Sequence, residues 1–340
     1  MTPAAATPVT RRRRAAWAVP LMVIGILLAV VAGLAIGTNP ISPVRVLAGL
    51  FGDDPEARTV VIGNRMPRVV LAIVIGAALG LAGHLMQSLT RNPLADPGLL
   101  GIQAGASAAV VSAIAFFGIT NPGGYAWFAL VGAAAGALVG YGLAAVGRGS
   151  ASPVRLILAG TAISGALYSY VSGVLIVQPF TFSAFRFWEI GSLTTRDLSV
   201  TGGVLWFVVP GILLALALAA PLNGLALGHE TAIALGVRTV RTQVLALVAV
   251  VLLTGGATAA VGPVAFIGLA VPHLSRALVG PDHRKGLPMS ILAGILMLQL
   301  ADVVGRVIAW PQEIGAGIVA AVVGAPVLVY LVRTGKVGRL

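Results

Sequence analysis

The sequence has no cysteine and few charged residues. Only 9% of its 340 residues are Asp, Glu, Lys or Arg, against roughly 25% in an average soluble domain. The missing cysteines exclude disulfide bonds, thiolate metal sites and cysteine nucleophiles. Hydrophobic residues make up 58% of the chain. A soluble globule could not bury so much apolar surface, so we predict an integral membrane protein rather than a soluble enzyme.

Continuous apolar runs of helix length fill most of the chain. We place ten spans, at 17–37, 67–89, 99–117, 125–146, 155–177, 200–220, 243–260, 262–279, 288–308 and 316–332. A bilayer-crossing helix needs about 20 apolar residues, whereas strands of a membrane barrel alternate over about 10. The predicted fold is therefore all-α, with a transmembrane domain at 17–332. A basic tail at 1–16 and a tail at 333–340 flank this domain.

The distribution of basic residues predicts the orientation in the membrane. The net charge is +12, but the 22 Lys and Arg residues are scattered through short loops. This pattern favours lipid contact and membrane orientation over nucleic-acid binding. Ten spans put both termini on one side. Cytoplasmic termini leave 15 basic residues inside and 7 outside, as the positive-inside rule requires.

The sequence offers little that could catalyse a reaction. It has no Ser/His/Asp grouping, no G-x-x-x-x-G-K-[ST] loop and no metal-ligand spacing among its four histidines. We therefore expect no catalytic residues, no bound metal and no ATP hydrolysis by this chain. Asp302 and Arg306 are four residues apart on one helix face, which favours a structural ion pair. A proton relay in an ion-coupled secondary transporter, the alternative function, would instead need an unpaired acid deep in the bilayer.

Two loops carry stronger signals than the spans. In the loop at 91–101, Pro93 and Pro97 prevent a continuous helix and predict a rigid turn. In the loop at 227–237, a short amphipathic helix ends at Gly236. Such a helix suits docking of a soluble partner, although an idle interfacial helix would have the same pattern.

An ordered set of segments resembles the FecCD permease family, which belongs to ABC importers for iron–siderophores, haem and cobalamin. The segments are 65–68 (RMPR), Gln87 with 91–97 (RNPLADP), 188–193 (WEIGSL), 228–237, 262–269 (GPVAFIGL) with Pro272, His273 and Arg276, and 282–284 (DHR). One stretch departs from the family pattern. Gly315 stands after Glu313-Ile314 where the family usually has a Pro-Val-Gly sequence. This departure puts the role of Glu313 in doubt.

The resemblance implies a type II importer permease in the bacterial cytoplasmic membrane. The permease would pair with a second copy or a paralogue and form the translocation path between them. Its other implied partners are two ATPase subunits that carry ATP and Mg²⁺, and a substrate-binding protein outside. We expect a ferric siderophore as cargo, with haem and cobalamin left open. We also expect the permease to need no cofactor of its own.

The resemblance also assigns roles to particular residues. The residues expected to couple the permease to the ATPase are Gly228, Glu230, Ala234, Leu235 and Gly236. Those expected at the cytoplasmic gate are Asn92, Leu94, Ser150 and Ser152. Those expected to pair with acidic residues of the binding protein are Arg58, Arg65 and Arg68.

Overall fold

The structure is a computed structural model that describes residues 8–37, 39–52, 54–146, 153–194 and 198–333. Within these ranges all regular structure is helical. The helices are α1 (Pro8–Ala35), α2 (Pro43–Phe51), α3 (Pro55–Arg58), α4 (Met66–Thr90), α5 (Ile102–Phe117), α6 (Pro122–Ala145), α7 (Pro153–Val177), α8 (Pro179–Glu189), α9 (Leu198–Ala217), α10 (Ala219–Ala226), α11 (His229–Ala234), α12 (Thr239–Val261), α13 (Ile267–Val279), α14 (His283–Ile308) and α15 (Ala316–Arg333). A π-helical segment, Thr59–Arg65, precedes α4, and a 3-10 turn, Pro97–Leu100, precedes α5.

The ten predicted spans correspond to ten of these helices. Seven helical segments in the described ranges are long and apolar enough to cross a membrane. The other three spans match shorter apolar helices, Ile102–Phe117, Ile267–Val279 and Ala316–Pro326. The all-α, multi-span fold class is therefore confirmed.

The first two spans begin earlier than predicted. Helix α1 starts at Pro8, so part of the predicted tail at 1–16 continues the first helix. The second span does not begin at Pro67 either. Helical structure runs without interruption from Pro55 to Thr90. The π-helical segment directly before α4 accommodates Pro67, which has no N–H to donate. The Met66 N–H donates to the carbonyl of Val61, five residues back, the hydrogen-bond pattern of a π-helix.

Glycine lets the central helices approach closely. A Cβ atom built at Gly76 on α4 would lie 2.6 Å from the carbonyl oxygen of Gly294 on α14. Likewise, a Cβ at Gly132 on α6 would lie 2.3 Å from the carbonyl oxygen of Gly105 on α5. Any larger residue would push these backbones apart, as expected for small-residue packing between membrane helices.

The bundle has two distinct ends. At one end, which we call the α11 end, α4 finishes and α14 begins. The segment between α10 and α12, which contains α11, lies at this end too. At the other, which we call the Arg68 end, α1 and α14 finish and the segment leading into α4 begins. The antiparallel packing of α4 on α14 fixes both ends, and each end holds one group of the residues singled out by the sequence.

Candidate functional site

The loop at 227–237 contains the short helix α11, which ends in a defined C-cap. The N–H of Val237 donates to the carbonyl of Ala232 at 2.9 Å, and the N–H of Gly236 donates to that of Ile233 at 2.9 Å. These two bonds form a Schellman motif, which requires a left-handed residue after the helix. Gly236 supplies that residue with φ of 78°. The predicted glycine stop is therefore observed.

Most of α11 faces away from the protein. Among the residues expected to couple, Glu230, Ala234, Leu235 and Gly236 are exposed, and Gly228 is half-buried. Ala232 is fully buried and anchors the helix on the bundle. Three large apolar side chains of the loop are also exposed: Leu227, Ile233 and Leu235. We call these three side chains the exposed apolar cluster, and large apolar side chains exposed together on one loop are typical of a surface that another protein covers.

Two ties hold α10, the helix that leads into the α11 loop, to the bundle. Arg91, at the end of α4, donates from Nη2 to the carbonyl of Leu225 on α10 at 2.7 Å. On the other side, Asn223 of α10 donates from Nδ2 to Oδ1 of Asp282 at 2.7 Å and accepts from the N–H of His283 at 2.9 Å. The Asn223 amide and the N–H of Arg284 hold the pKa of the Asp282 carboxyl below its usual value. A movement of α11 that displaces α10 would therefore be transmitted to the end of α4 and the start of α14.

The loop after α4 is rigid, as its two prolines predict. Arg91 adopts a left-handed conformation, with φ of 48°. The Asn92 Oδ1 atom accepts from the N–H of Leu94 at 2.9 Å, and Asp96 Oδ1 accepts from the N–H of Gly98 at 2.8 Å. These two turns are followed by the 3-10 turn at Pro97–Leu100.

Two of the four residues expected at the gate lie on this loop. Leu94 is 40% exposed and Asn92 is half-buried. Asn92 uses its side-chain oxygen to shape the turn, a role that its position between Arg91 and Pro93 did not reveal. Ser150 and Ser152 lie outside the described residues. A gating role for the four residues remains a prediction.

A buried polar network behind this loop was not predicted. His84 of α4 contacts Ser290 Oγ through Nδ1 at 2.8 Å and His283 Nδ1 through Nε2 at 3.0 Å. One turn further along α4, Gln87 accepts a hydrogen bond at Oε1 from Arg276 Nη2 at 2.5 Å. Both His84 and Gln87 are buried. Their partners are 189 to 206 residues away in the sequence, so no local pattern could have identified them.

At the Arg68 end, charged residues from three segments meet. Arg68 Nη2 lies 2.7 Å from Asp302 Oδ1, and Arg68 Nη1 lies 2.5 Å from Glu313 Oε2. Asp302 also contacts Arg306, its neighbour one helical turn away. Arg306 donates from Nη1 to the carbonyls of Gly33 at 2.7 Å and Ile36 at 2.9 Å. The expected pair is thus part of a larger cluster that ties α1, α4 and α14 together.

Arg65 and Arg68 are not free surface arginines, contrary to our expectation for the docking residues. Both residues are buried, at 7% and 8% exposure. Arg65 donates from Nη1 to the carbonyls of Leu34 and Ala35, each at 2.7 Å. These carbonyls end α1 and have no partner within the helix, so a guanidinium satisfies them well. Of the three arginines, only Arg58 is exposed.

In the described part of the chain, no group of three or more His, Asp or Glu side chains could hold a metal ion. Ion pairs hold the Arg68 end together, and hydrogen bonds hold the α11 end. These contacts join the ends of helices to the segments that connect them. Such contacts are compatible with helices that move as rigid bodies.

The fold and these sites define a multi-pass membrane permease. The FecCD transport family matches residues 24–334, and the chain belongs to this family. It is 45% identical to the ferric enterobactin transport system permease protein FepD of Escherichia coli K12, over 93% of this chain and 95% of that one. It is 35% identical to YfiZ of Bacillus subtilis, named a probable siderophore transport system permease protein, over 96% and 99% of the two chains.

A solved structure has the same architecture. It is described as a metal-chelate type ABC transporter in an inward-facing conformation, and it matches with a TM-score of 0.82 at 27% sequence identity. The match covers 94% of this chain and 99% of the other. The type II importer permease fold expected from the sequence is therefore confirmed.

Proposed function

We propose that the chain is the permease subunit of an ATP-driven importer for a ferric siderophore. The observation that carries the proposal is the α11 loop, a helix with a Schellman stop, an exposed apolar cluster and ties to α4 and α14. The relatives support the cargo class, since their names refer to ferric enterobactin and siderophores. The chain itself would have no enzyme activity and no bound cofactor. Haem and cobalamin are the other cargoes to test.

The proposed complex contains several partners. A second permease, identical or paralogous, would complete the translocation path in the bacterial cytoplasmic membrane. Two ATPase subunits that bind ATP and Mg²⁺ would dock on the α11 end, which makes that end and both termini cytoplasmic. A substrate-binding protein would dock on the Arg68 end.

Coupling would run from α11 into the bundle. Closure of the ATPases would push on Leu227, Ile233 and Leu235, which form the exposed apolar cluster. The push would reach α14 through Asn223 and Asp282, and it would reach α4 through Arg91. Because the loop after α4 is fixed by its own hydrogen bonds, it would follow α4 as a rigid piece and open or close the gate at Asn92 and Leu94.

Docking of the binding protein would use exposed charge at the Arg68 end. Arg58 is exposed and forms no ion pair with any described residue. It lies on α3, which leads through the π-helical segment into α4. The side chains of Arg65 and Arg68 would act indirectly, by fixing the segment that carries Arg58 relative to α1 and α14.

An ion-coupled secondary transporter is the second candidate, and one observation favours it. Glu189, at the end of α8, makes no ion pair with any described residue. Unpaired acids inside membrane proteins often couple transport to ions. Asp302, the acid that its helical spacing with Arg306 singled out in the sequence, contacts two arginines and is not available for this role.

Ile233→Ser with Leu235→Ser tests the docking surface. We expect this double variant to reach the membrane in normal amount but to lose co-purification with its ATPase. Phe51→Ser is the matched control, because Phe51 is 86% exposed and lies on α2 near the other end. Equal recovery of the ATPase with both variants would contradict the proposed coupling surface.

A further inference from the structure

Two exposed arginines at the α11 end have no acidic partner. Arg238 is the N-cap residue of α12, and Arg241 lies in the first turn of that helix. Both are exposed, and in the part of the chain that the structure describes neither forms an ion pair. Arg91 and Arg276, at the same end, instead donate hydrogen bonds to α10 and α4. Arg238 and Arg241 are therefore available to an anion from outside the chain.

A groove between α11 and α12 runs beside these two arginines. Its volume is about 640 Å³. Apolar side chains from α11, the following loop and α12 line it: Ile233, Val237, Val240 and Val244. Arg238 and Arg241 line it as well. The groove therefore combines two unpaired positive charges with an apolar wall.

The apolar wall continues along α12 into the membrane. Val240, Val244 and Val248 are spaced by four residues, so they form one stripe on the helix. They are 60%, 38% and 42% exposed. Helix α12 is long and apolar enough to cross a membrane, and at a rise of about 1.5 Å per residue Val248 lies roughly 10 Å beyond Arg241. A charged mouth above an exposed apolar stripe matches a phospholipid, which has a phosphate at the surface and acyl chains below it.

Another pair of exposed basic residues at this end lacks these features. Arg284 and Lys285 lie in the first turn of α14, and both act electrostatically on the carboxylate of Asp282. In the described segment 286–295 only Pro288 is exposed, so no apolar stripe continues from this pair. Positive charge at the membrane surface is thus common to both places, but the groove and the stripe are found only beside Arg238 and Arg241.

We propose that this groove binds an anionic phospholipid of the cytoplasmic leaflet. The phosphate would contact the guanidinium groups of Arg238 and Arg241, and an acyl chain would lie along the stripe on α12. Guanidinium groups suit a phosphate because they donate two parallel hydrogen bonds to it. The cytoplasmic leaflet carries anionic lipids, which basic residues at its surface attract. The inference rests on the proposed function, which makes the α11 end cytoplasmic.

A lipid in the groove would also brace α11. Ile233 of α11 lines the groove, whereas Leu227 and Leu235 of the exposed apolar cluster do not. The lipid would therefore fill the space between α11 and α12 and leave part of the cluster to the ATPase. A braced α11 passes a push on to the bundle instead of yielding toward α12. We therefore expect transport to depend on the anionic lipid.

Lipid binding to the complete permease–ATPase complex tests the inference. The complex in detergent would be titrated with phosphatidylglycerol or with phosphatidylcholine of the same acyl chains, and native mass spectrometry would count the bound lipids. We expect the first phosphatidylglycerol to bind about tenfold more tightly than the first phosphatidylcholine, because two arginines attract its net charge. Glycerophosphoglycerol, the same headgroup without acyl chains, should not compete at equal concentration. Competition would indicate a site for a soluble phosphate ester and would contradict the lipid site.

Three double variants identify the source of the preference. Arg238→Gln with Arg241→Gln should bind the two lipids with affinities within about twofold of each other, whereas Arg238→Lys with Arg241→Lys should keep a preference because the charge remains. Arg284→Gln with Lys285→Gln is the matched control. It removes the same charge from the same end and should keep the full preference. Equal affinities in the unaltered complex, or the same loss in both glutamine variants, would overturn the inference.

One further outcome would assign the two arginines to the ATPase. If Arg238→Gln with Arg241→Gln keeps the lipid preference but no longer co-purifies with the ATPase, these residues contact the ATPase and the lipid site is wrong.

ATP-dependent uptake separates this inference from the proposed function. Uptake should be several-fold faster in liposomes that contain phosphatidylglycerol than in liposomes of phosphatidylcholine alone, and Arg238→Gln with Arg241→Gln should abolish this difference. Equal uptake in the two kinds of liposome would contradict the bracing of α11. If no ferric chelate is taken up with ATP in either, while the lipid preference is present, the proposed function fails and the lipid site stands.

Discussion

Arg68 and Asp302 face each other across the packed helices α4 and α14. Arg68 donates from Nε to both carboxylate oxygens of Asp302, at 2.9 and 3.1 Å. Asp302 is fully buried, and Arg306 contacts the same carboxylate. One acid therefore joins two arginines that come from different helices, and Glu313 adds a second negative charge beside Arg68. The contact locks the Arg68 end of the bundle.

Removing this acid should destabilise the protein. We expect Asp302→Asn to lower the free energy of unfolding by about 3 kcal/mol, because the buried Arg306 loses its acidic partner and Arg68 keeps only Glu313. The measurement is the fraction of detergent-solubilised protein that stays folded during heating. Asp54→Asn is the control, since Asp54 pairs with Arg45 at an exposed site where ion pairs contribute little. Equal stability of the two variants would show that the buried cluster is not needed for the fold.

Exchanging the charges should not repair the damage. In Asp302→Arg with Arg306→Asp, the pair would be restored in reverse order. However, Arg306 also donates to the carbonyls of Gly33 and Ile36, and Asp302 also holds Arg68. We therefore expect the double variant to be less stable than either single variant in the same heating assay. Recovery toward the unaltered protein would mean that the two residues act as an isolated pair.

The stop of α11 can be tested separately from its docking surface. We expect Gly236→Val to lose uptake while the protein still reaches the membrane. A β-branched residue is strained at φ of 78°, by about 1–2 kcal/mol, and the helix would end differently. A Cβ at this position meets no atom of the chain within 4 Å, so a clash within the bundle would not explain the loss. Gly236→Asn is the control because asparagine tolerates this conformation, and it should keep most of the uptake.

The tie between Asn223 and Asp282 should depend on pH. Because the folded-state pKa of Asp282 is lowered, its carboxylate stabilises the folded protein above the usual aspartate value of about 4. This contribution is lost as the pH falls through the lower folded-state pKa. We expect the melting temperature of Asp282→Asn to lie below that of the unaltered protein at pH 7. The two should converge at acid pH, and a difference that grows on acidification would contradict this account.

Docking at the Arg68 end should depend on Arg58. We expect Arg58→Glu to slow association with the binding protein and to weaken its dependence on salt, because charges at a rim mainly affect the association rate. Arg65→Gln should instead reduce the amount of folded protein, since the buried carbonyls of Leu34 and Ala35 each lose the hydrogen bond from the guanidinium, and Ala35 keeps only the N–H of Ile41. Stopped-flow association at low and high salt separates these effects. Unaltered association of the Arg58→Glu variant would remove this residue from the docking surface.

The sequence predicted the features that depend on local patterns of residues. Continuous apolar runs located the ten spans, and the glycine at 236 located the end of α11. The four-residue spacing of Asp302 and Arg306 placed them on one face, and they are in contact. These features depend on residues within a few turns of each other, so helical periodicity and capping rules apply directly.

Contacts over long sequence distance were missed. Glu313 pairs with Arg68, which is 245 residues earlier, and nothing near Glu313 indicates this partner. Arg65 stands two residues before Pro67 at the start of a span, a position that predicts exposure, but the end of α1 covers it. In the sequence, Glu189 stood out only as part of the segment 188–193. Its lack of a cation became evident only once α5, α7 and α8 were placed together.

The most direct test of the account is the energy source for uptake. The permease and its co-purifying ATPase would be reconstituted in liposomes, with the binding protein and an iron-55-labelled ferric siderophore added outside. Uptake would be measured with ATP and Mg²⁺ inside and no ion gradient, and again with a proton gradient and no nucleotide. The account predicts uptake only with hydrolysable ATP, and its loss in the Ile233→Ser, Leu235→Ser variant. Uptake that follows the proton gradient without ATP would contradict it.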